Sequence, residues 1–371
     1  MNTKFANGTR RRQGGVSLIE LMISLLLSML LIAGMVTVFG NNRVTYEFNQ
    51  GLSRIQENAR FSLDHIAYNA RMAGYSGCLS EVAVYNNLSA PDTFRDDIEN
   101  GIQGHNANGT AEGQTFVAGA TDPAPSGNLG AWTPALPAEL NNRVIPGSDV
   151  LIVRGVAGAA HPLVTPFSDS AQLFVADPHD FLNGEILVVT DCQKASIFQL
   201  TNSTAVGFGV NLVHSNSGTY TPGNAAPTWG PEQDYGLGSE VARLQTHAFY
   251  VGRGASGRPT LFQLRLQPLS GTASGFAPEE LVEGIETMQV RYGIDPDDDG
   301  AINNRVTADA VADWTRVLSV EVTLLARATD EYGPETDTVV YNVAGTQFNP
   351  VNDRRLRQVF STSIGVRNRL P

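Results

Sequence analysis

From Val16 to Gly40 the chain is almost wholly apolar: Leu, Ile, Met and Val dominate, and Glu20 is the only formally charged residue. A helix of about 25 such residues spans the hydrocarbon core of a bilayer, so this run predicts a transmembrane segment. A carboxylate inside such a segment is costly, and Glu20 therefore calls for a partner. Beyond Gly40-Asn41-Asn42, where bending or local melting is expected, the pattern becomes one-sided. Leu52, Ile55, Ala59, Leu63, Ile66, Ala70 and Ala73 recur at spacings of three and four, the stripe of an amphipathic helix. Arg54, Glu57, Arg60 and Asp64 fall on its other faces. Gly74 then supplies a C-terminal cap, because glycine tolerates the left-handed backbone that closes many helices. Unbroken from Val16 to Ala73, such a helix would be roughly 85 Å long at 1.5 Å per residue.

The rest of the chain loses the helical period. Residues 84–145 are rich in Asn, Gly, Ala, Pro and Asp, as in Asn106-Ala107-Asn108-Gly109 and Pro123-Ala124-Pro125. They are expected to form long surface loops that bury little. Strand patterns begin at Asp149–Arg154 and recur at Gln172–Ala176, Glu185–Thr190, Ser196–Leu200 and Val206–His214. After a Pro- and Gly-rich gap they return at Val241–Val251, Thr260–Gln267, Thr287–Tyr292, Val317–Ala328, Thr338–Val343 and Arg357–Val366. Short runs, turn-rich separators and alternation predict antiparallel sheet. The expected fold is α+β: a long N-terminal helix, half membrane segment and half amphipathic, packed on an antiparallel β-rich globular domain. The expected divisions are 1–15 as a leader, 16–40 as the membrane helix, 41–73 as its continuation and 74–371 as one composite domain. Any sublobe boundary would lie near 220–240.

Charge sets the orientation. Lys4, Arg10, Arg11 and Arg12 precede the apolar run, which should hold the N-terminus in the cytoplasm and send the remainder outward. The 371-residue chain has a formal charge of −12, and loss of residues 1–15 with those four cations makes it −16. An acidic body argues against nucleic-acid binding there. Cys78 and Cys192 would both lie outside the cytoplasm, where a disulfide persists. They are expected to pair, against the alternative of two separate buried thiols.

Two stretches invite a chemical reading. Gly252-Arg253-Gly254-Ala255-Ser256-Gly257 matches the dinucleotide fingerprint, but Pro259 and the alternation Leu261 to Leu266 follow it. That fingerprint needs a helix at this point, so the stretch reads as a hairpin loop. The six histidines are scattered, and neither Gly-x-Ser-x-Gly nor His-Glu-x-x-His occurs, so the sequence carries no enzyme signature. Asp295-Pro296-Asp297-Asp298-Asp299-Gly300 places carboxylates at positions 1, 3 and 5 and glycine at 6 of a calcium loop, where Ala301 could add its carbonyl. Position 12 is Val306, so the usual closing Glu is missing and Asn303, Asp309 or Asp313 would have to serve. The alternative is a solvated acidic turn.

The basic leader ending in Gly14-Gly15, then Val16-Ser17-Leu18-Ile19-Glu20, resembles the class III signal of type IV prepilins. The resemblance implies cleavage after Gly15 by a membrane peptidase and methylation of the new N-terminus at Val16, although Val16 stands where Phe or Met is usual. In a fibre, the Glu20 carboxylate would pair with the Val16 amine of a neighbouring subunit and so set register. Leu281–Glu286, Gln289–Tyr292 and the closing run Arg354–Arg369 resemble the PilW family and the related J pseudopilins of type II secretion. PilW resemblance implies a non-enzymatic minor pilin that primes pilus assembly, sits near the tip and supports adhesion or twitching motility. Its implied partners are other minor pilins, the major pilin, a tip adhesin, the prepilin peptidase and the inner membrane. Its globular domain would be periplasmic and then at the cell surface. A J-type pseudopilin, or a membrane-anchored calcium-dependent binding protein outside any filament, are the alternatives.

Overall fold

A computed structural model describes Gly15 and residues 17–77, 82–333 and 335–369. The chain divides into two compact units, Met1–Gln50 and Gly51–Pro371.

The first unit is the N-terminal part of helix α1 (Leu18–Arg71). The helix runs straight through Gly40-Asn41-Asn42 without the expected melting. Gly and Asn each cost only about 1 kcal/mol or less in a helix interior, and a long cooperative helix outweighs that. Local bonds add to it: Thr45 Oγ1 donates to the Asn41 carbonyl at 2.9 Å, and Arg43 pairs with Glu47 at 2.9 Å.

The second unit opens with the remainder of α1, which buries Gly51, Ile55, Ala59, Ser62, Leu63, Ile66, Ala67 and Ala70. Gly74 closes the helix at φ 70° and donates its N–H to the Arg154 carbonyl at 2.8 Å. Past the helix come β1 (Ala83–Asn86), the single-turn α2 (Thr93–Asp96), β2 (Ile102–Ala107), β3 (Thr115–Val117) and β4 (Trp132–Thr133). Then follow β5 (Val150–Pro162), β6 (Gln172–Val175), β7 (Ile186–Thr190), β8 (Lys194–Gln199), β9 (Asn202–Val206) and β10 (Gly209–Val213). A longer group is β11 (Glu240–Arg253), β12 (Pro259–Ser270), β13 (Ala273–Glu283) and β14 (Ile285–Ile294). The last are β15 (Asn304–Val306), β16 (Val317–Glu331), β17 (Tyr341–Val343), β18 (Thr346–Asn349) and β19 (Arg355–Gly365).

The largest sheet runs β1-β8-β7-β11-β5-β2-β4, with β12 added to β11 and β13 to β12. A second sheet is β15-β14-β16-β19, and two three-stranded sheets are β6-β10-β9 and β17-β18-β3. Only β1 with β8 and β3 with β18 run parallel among the described strands. The fold is therefore α+β with an antiparallel-rich globular part, as the pattern predicts. The α1 stripe packs into a core with Phe249, Val251, Ile285, Met288, Val290, Val320, Val322 and Leu324.

Three sequence expectations are corrected. Residues 84–145 are not bare loops: they hold most of β1 and all of β2, β3 and β4, and they bury Trp132, Leu136, Leu140 and Val144 beside Val150, Tyr250 and Leu264. These apolar residues have no regular period because turns separate them, so only tertiary packing reveals them. Val206–His214, read as one strand, is the end of β9 and the whole of β10, turning through Gly207-Phe208. Of Thr338–Val343 only β17 is strand. β13 went unread because Pro278, Glu279, Glu280 and Glu283 break its pattern, a composition that a strand paired only to β12 tolerates.

A chain of polar side chains fastens α1 to the large sheet. His65 Nε2 bonds Gln263 Oε1 at 2.7 Å, and Gln263 Nε2 donates to His247 Nδ1 at 2.7 Å. His247 Nε2 reaches Gln245 Oε1 at 3.3 Å. Gln263 can donate only to a neutral imidazole here, so the network holds His247 uncharged. Burial, followed by the nearby charge of Arg265, pushes the His247 pKa down to about 4. A base with a depressed folded pKa binds fewer protons folded than unfolded, so this stability is lost as pH falls from about 6.5 towards 4. Denaturant unfolding of the detergent-solubilised full chain should show that acid limb, and His247→Gln should make it shallower. An unchanged slope in the variant would assign the acid sensitivity to other groups.

Candidate functional site

The N-terminal segment is built for an apolar medium. Gly15 is exposed, and a Cβ added to it would meet nothing within 4 Å. Val16 lies outside the described residues. The Ser17 carbonyl accepts from Leu21 N–H at 3.1 Å and opens α1. From Leu18 to Phe39 the large apolar side chains are between 53% and 78% exposed. Apolar surface on that scale needs lipid or another subunit to cover it. The other polar groups of the run are satisfied within the helix. Ser24 donates to the Glu20 carbonyl, Ser28 to the Ser24 carbonyl at 2.7 Å, and Thr37 to the Ala33 carbonyl at 2.9 Å. Glu20 stands in the first turn, where the helix dipole favours an anion. Its carboxylate has no hydrogen bond or ion pair among the described residues.

The acidic loop joins β14 to β15. Asp295, Asp297 and Asp299 each offer a carboxylate oxygen within 4.8 Å of the others. Asp295 Oδ2 accepts from Gly300 N–H at 2.8 Å and Oδ1 from Asp299 N–H at 3.2 Å, while Asp299 Oδ1 accepts from Ala301 N–H at 2.8 Å. Burial works against the Asp295 charge, but the Gly300 and Asp299 amides prevail and hold its pKa below the ordinary range. Asp298, at φ 61°, turns away to pair with Arg316. The three carboxylates remain as an all-oxygen set, which suits a hard cation such as calcium, and the Asp295 and Asp299 oxygens keep a lone pair beyond their amide bonds. Of the residues expected to close the loop, Asp313 caps the turn Trp314–Arg316 through Thr315 N–H at 2.9 Å, and Asn303 N–H bonds the Ile294 carbonyl at 3.0 Å.

The expected disulfide involves one residue outside the described set, Cys78. Its neighbour Gly77 has φ 117°, and a Cβ there would collide with the Thr190 methyl group. Thr190 ends β7, two residues before Cys192.

Sequence reasoning missed a buried ionic cluster. Arg357 of β19 is fully buried and donates to Glu286 at 2.7 Å, Asp353 at 2.8 Å and Asp337 at 3.2 Å. Burial opposes its charge, but Glu286 and Asp353 outweigh burial and raise the guanidinium pKa. Arg327 of β16, also buried, reaches Glu286 at 3.7 Å and pairs with Asp122. Glu286 thus bridges two arginines across the sheet. Alternating charge in strands otherwise read as core was the available signal.

An apolar helix whose one carboxylate has no partner among the described residues, followed in the chain by a β-rich domain, fits a prepilin-type protein. Residues 10–36 match the family model of the prokaryotic N-terminal methylation motif, and residues 248–368 match that of type IV pilus-assembly protein W. Together the two matches support a PilW-like type IV minor pilin. The same matches imply interaction with other pilus components and with a prepilin peptidase. No curated protein and no solved structure matches the chain significantly.

The PilW match contains both Glu286 and Arg357. Glu286→Ala would remove the carboxylate that two buried guanidinium groups share and should destabilise the chain by about 3–5 kcal/mol, the range for breaking a buried pair. Denaturant unfolding measures it. A loss under about 1 kcal/mol would mean that the remaining aspartates suffice.

Proposed function

We propose that this minor pilin enters the inner membrane once, with its globular part in the periplasm, and primes pilus assembly near the fibre tip. The peptidase cuts after Gly15, and Val16 becomes the methylated N-terminus. The observation carrying this reading is the lone Glu20 carboxylate in a fully exposed apolar run. It needs a cation, and the Val16 ammonium of a neighbouring subunit supplies one. In low dielectric an unpaired member of such a pair is strongly penalised, so the pair enforces register between subunits. The partners are other minor pilins, the major pilin and a tip adhesin, and the output is adhesion and twitching motility. The role is structural, not catalytic. The match to protein W over 248–368 favours this reading over a J-type pseudopilin.

Intact-mass analysis of the protein from cells should give a chain beginning at Val16 with one added methyl group and a closed Cys78–Cys192 bridge. Gly15→Val should leave the leader attached. Glu20→Ala should insert normally yet reduce pilus number sharply. Wild-type protein starting at Met1, or normal piliation with Glu20→Ala, would defeat the reading.

We also propose that Asp295, Asp297 and Asp299, with the Ala301 carbonyl, hold a calcium ion. Extracellular-type sites bind at about 10⁻⁴ to 10⁻³ M, so the missing twelfth ligand is tolerable. Calcium at about ten times its Kd would stabilise the fold by about 1.4 kcal/mol. The full chain in detergent should melt higher with millimolar calcium than with chelator, and Asp297→Ala combined with Asp299→Ala should abolish the difference. Equal melting in both solutions would leave the loop as an acidic turn.

A further inference from the structure

The strand edges of this domain are not equally protected. An exposed edge offers unpaired N–H and C=O groups to any extended chain, and proteins guard against this with short strands, charges and proline. At the other ends of the sheets, β13 carries Pro278, Glu279, Glu280 and Glu283, while β1, β3, β4, β6, β9, β15 and β17 are five residues or shorter. The exception is β19, the eleven-residue edge of the β15-β14-β16-β19 sheet. Its stretch Gln358-Val359-Phe360-Ser361-Thr362-Ser363-Ile364 contains no charge, proline or glycine.

The direction of its free backbone groups follows from the register. In an antiparallel ladder, alternate residues turn both N–H and C=O to opposite sides. Val366 N–H donates to the Leu318 carbonyl at 2.9 Å, and the pairing continues without a shift from Ser319 with Gly365 to Arg327 with Arg357. Even-numbered residues therefore face β16, and Val359, Ser361, Ser363 and Gly365 face outward. Among the described residues no backbone hydrogen bond reaches those outward groups. A groove of about 740 Å³ runs beside them, walled by Glu57, Arg60, Phe61 and Asp64 of α1 and by Phe360 and Thr362 of β19. Phe61 is 51% exposed there.

We infer that β19 receives an extended strand from another pilin-type subunit, which adds to its outer edge and lays an apolar side chain over Phe61. The inference rests on the minor-pilin reading. The α1 wall of the groove belongs to the same helix, Leu18–Arg71, as the apolar N-terminal run. Charge narrows the occupant: the incoming strand is uncharged opposite 358–364 and acidic at the end facing the exposed Arg367, which has no ion pair among the described residues. A second copy of β19 fits less well, because both of its ends are basic, with Arg354 and Arg355 at one and Arg367 and Arg369 just past the other, and it supplies no acidic end. Main-chain bonds would supply affinity, and the groove would supply selectivity.

The test uses the full-length chain in the cells that make it. A photo-crosslinking residue at Ser361 should capture an extended, uncharged segment of a different processed pilin-type subunit, identified by peptide mass. Ser361→Pro removes the outward N–H without touching the ladder to β16, and should lower pilus number by about tenfold or more, whereas Ser361→Ala, which keeps the N–H, should stay within about twofold. If Ser361→Pro melts well below wild type, Ser363→Lys, a side-chain guard on the same edge, replaces it with the same expectation. Crosslinks only to a second copy, no crosslink, or normal piliation in the edge variants would overturn the inference. Gly15→Val in parallel separates the two readings. If it too leaves piliation normal, the minor-pilin reading fails; if it abolishes pili while the edge variants do not, strand addition alone fails.

Discussion

One face of α1 has to be covered, and the globular domain is arranged to cover it. Ile55, Ala59, Leu63, Ile66 and Ala70 form a stripe of small and branched residues that leave almost no surface to solvent. The alanines let the helix sit close to the strands, and the branched residues fill the space between. Full burial of each Ile or Leu is worth about 1.5–3 kcal/mol. The two sheets that meet this stripe contribute β5, β11 and β12 on one side and β14 and β16 on the other. The sheets also bond directly, Asp149 N–H to the Met288 carbonyl at 2.8 Å and Val290 N–H to Asp149 Oδ2 at 2.9 Å, and the stripe fills the core between them.

The second constraint is electrostatic. Arg327 and Arg357 are nearly absent from the surface, yet both remain paired, because Glu286, Asp353, Asp337 and Asp122 converge on them from β14 and from the loops around β17 and β3. A buried guanidinium tolerates no loss of partner, so those loops are held to one geometry. Glu286, Arg327, Asp337, Asp353 and Arg357 all fall inside the residues that match protein W, while Asp122 and the lobe packed around Phe167, Phe198, Trp229 and Tyr235 fall outside them.

Much of this was legible in the chain. The apolar run with Glu20, the amphipathic stripe and the capping Gly74 follow from helical periodicity, and most long strands from alternation. The acidic loop was readable because its carboxylates are adjacent in sequence. What stayed hidden depends on distance. Trp132 and Leu140 looked like loop residues because their partners, Val150 and Tyr250, come later in the chain. The Glu286–Arg357 contact joins residues 71 apart, and nothing local to either announces it. β13 was obscured by the charges and proline that an edge position permits, whereas the unguarded β19 could be read as a strand but not as an edge.

The hydroxyls of Ser24, Ser28 and Thr37 are closed onto the backbone of their own helix. A transmembrane segment treated in this way makes no sideways polar demand on its neighbours. It can rotate and drift in the bilayer without catching on the wrong helix. Under the pairing proposed for Glu20, that carboxylate alone would tell it how far to rise beside another subunit, like the single mark on a ruler. A second free hydroxyl or amide along the run would add a competing mark, and helices would dock at more than one height.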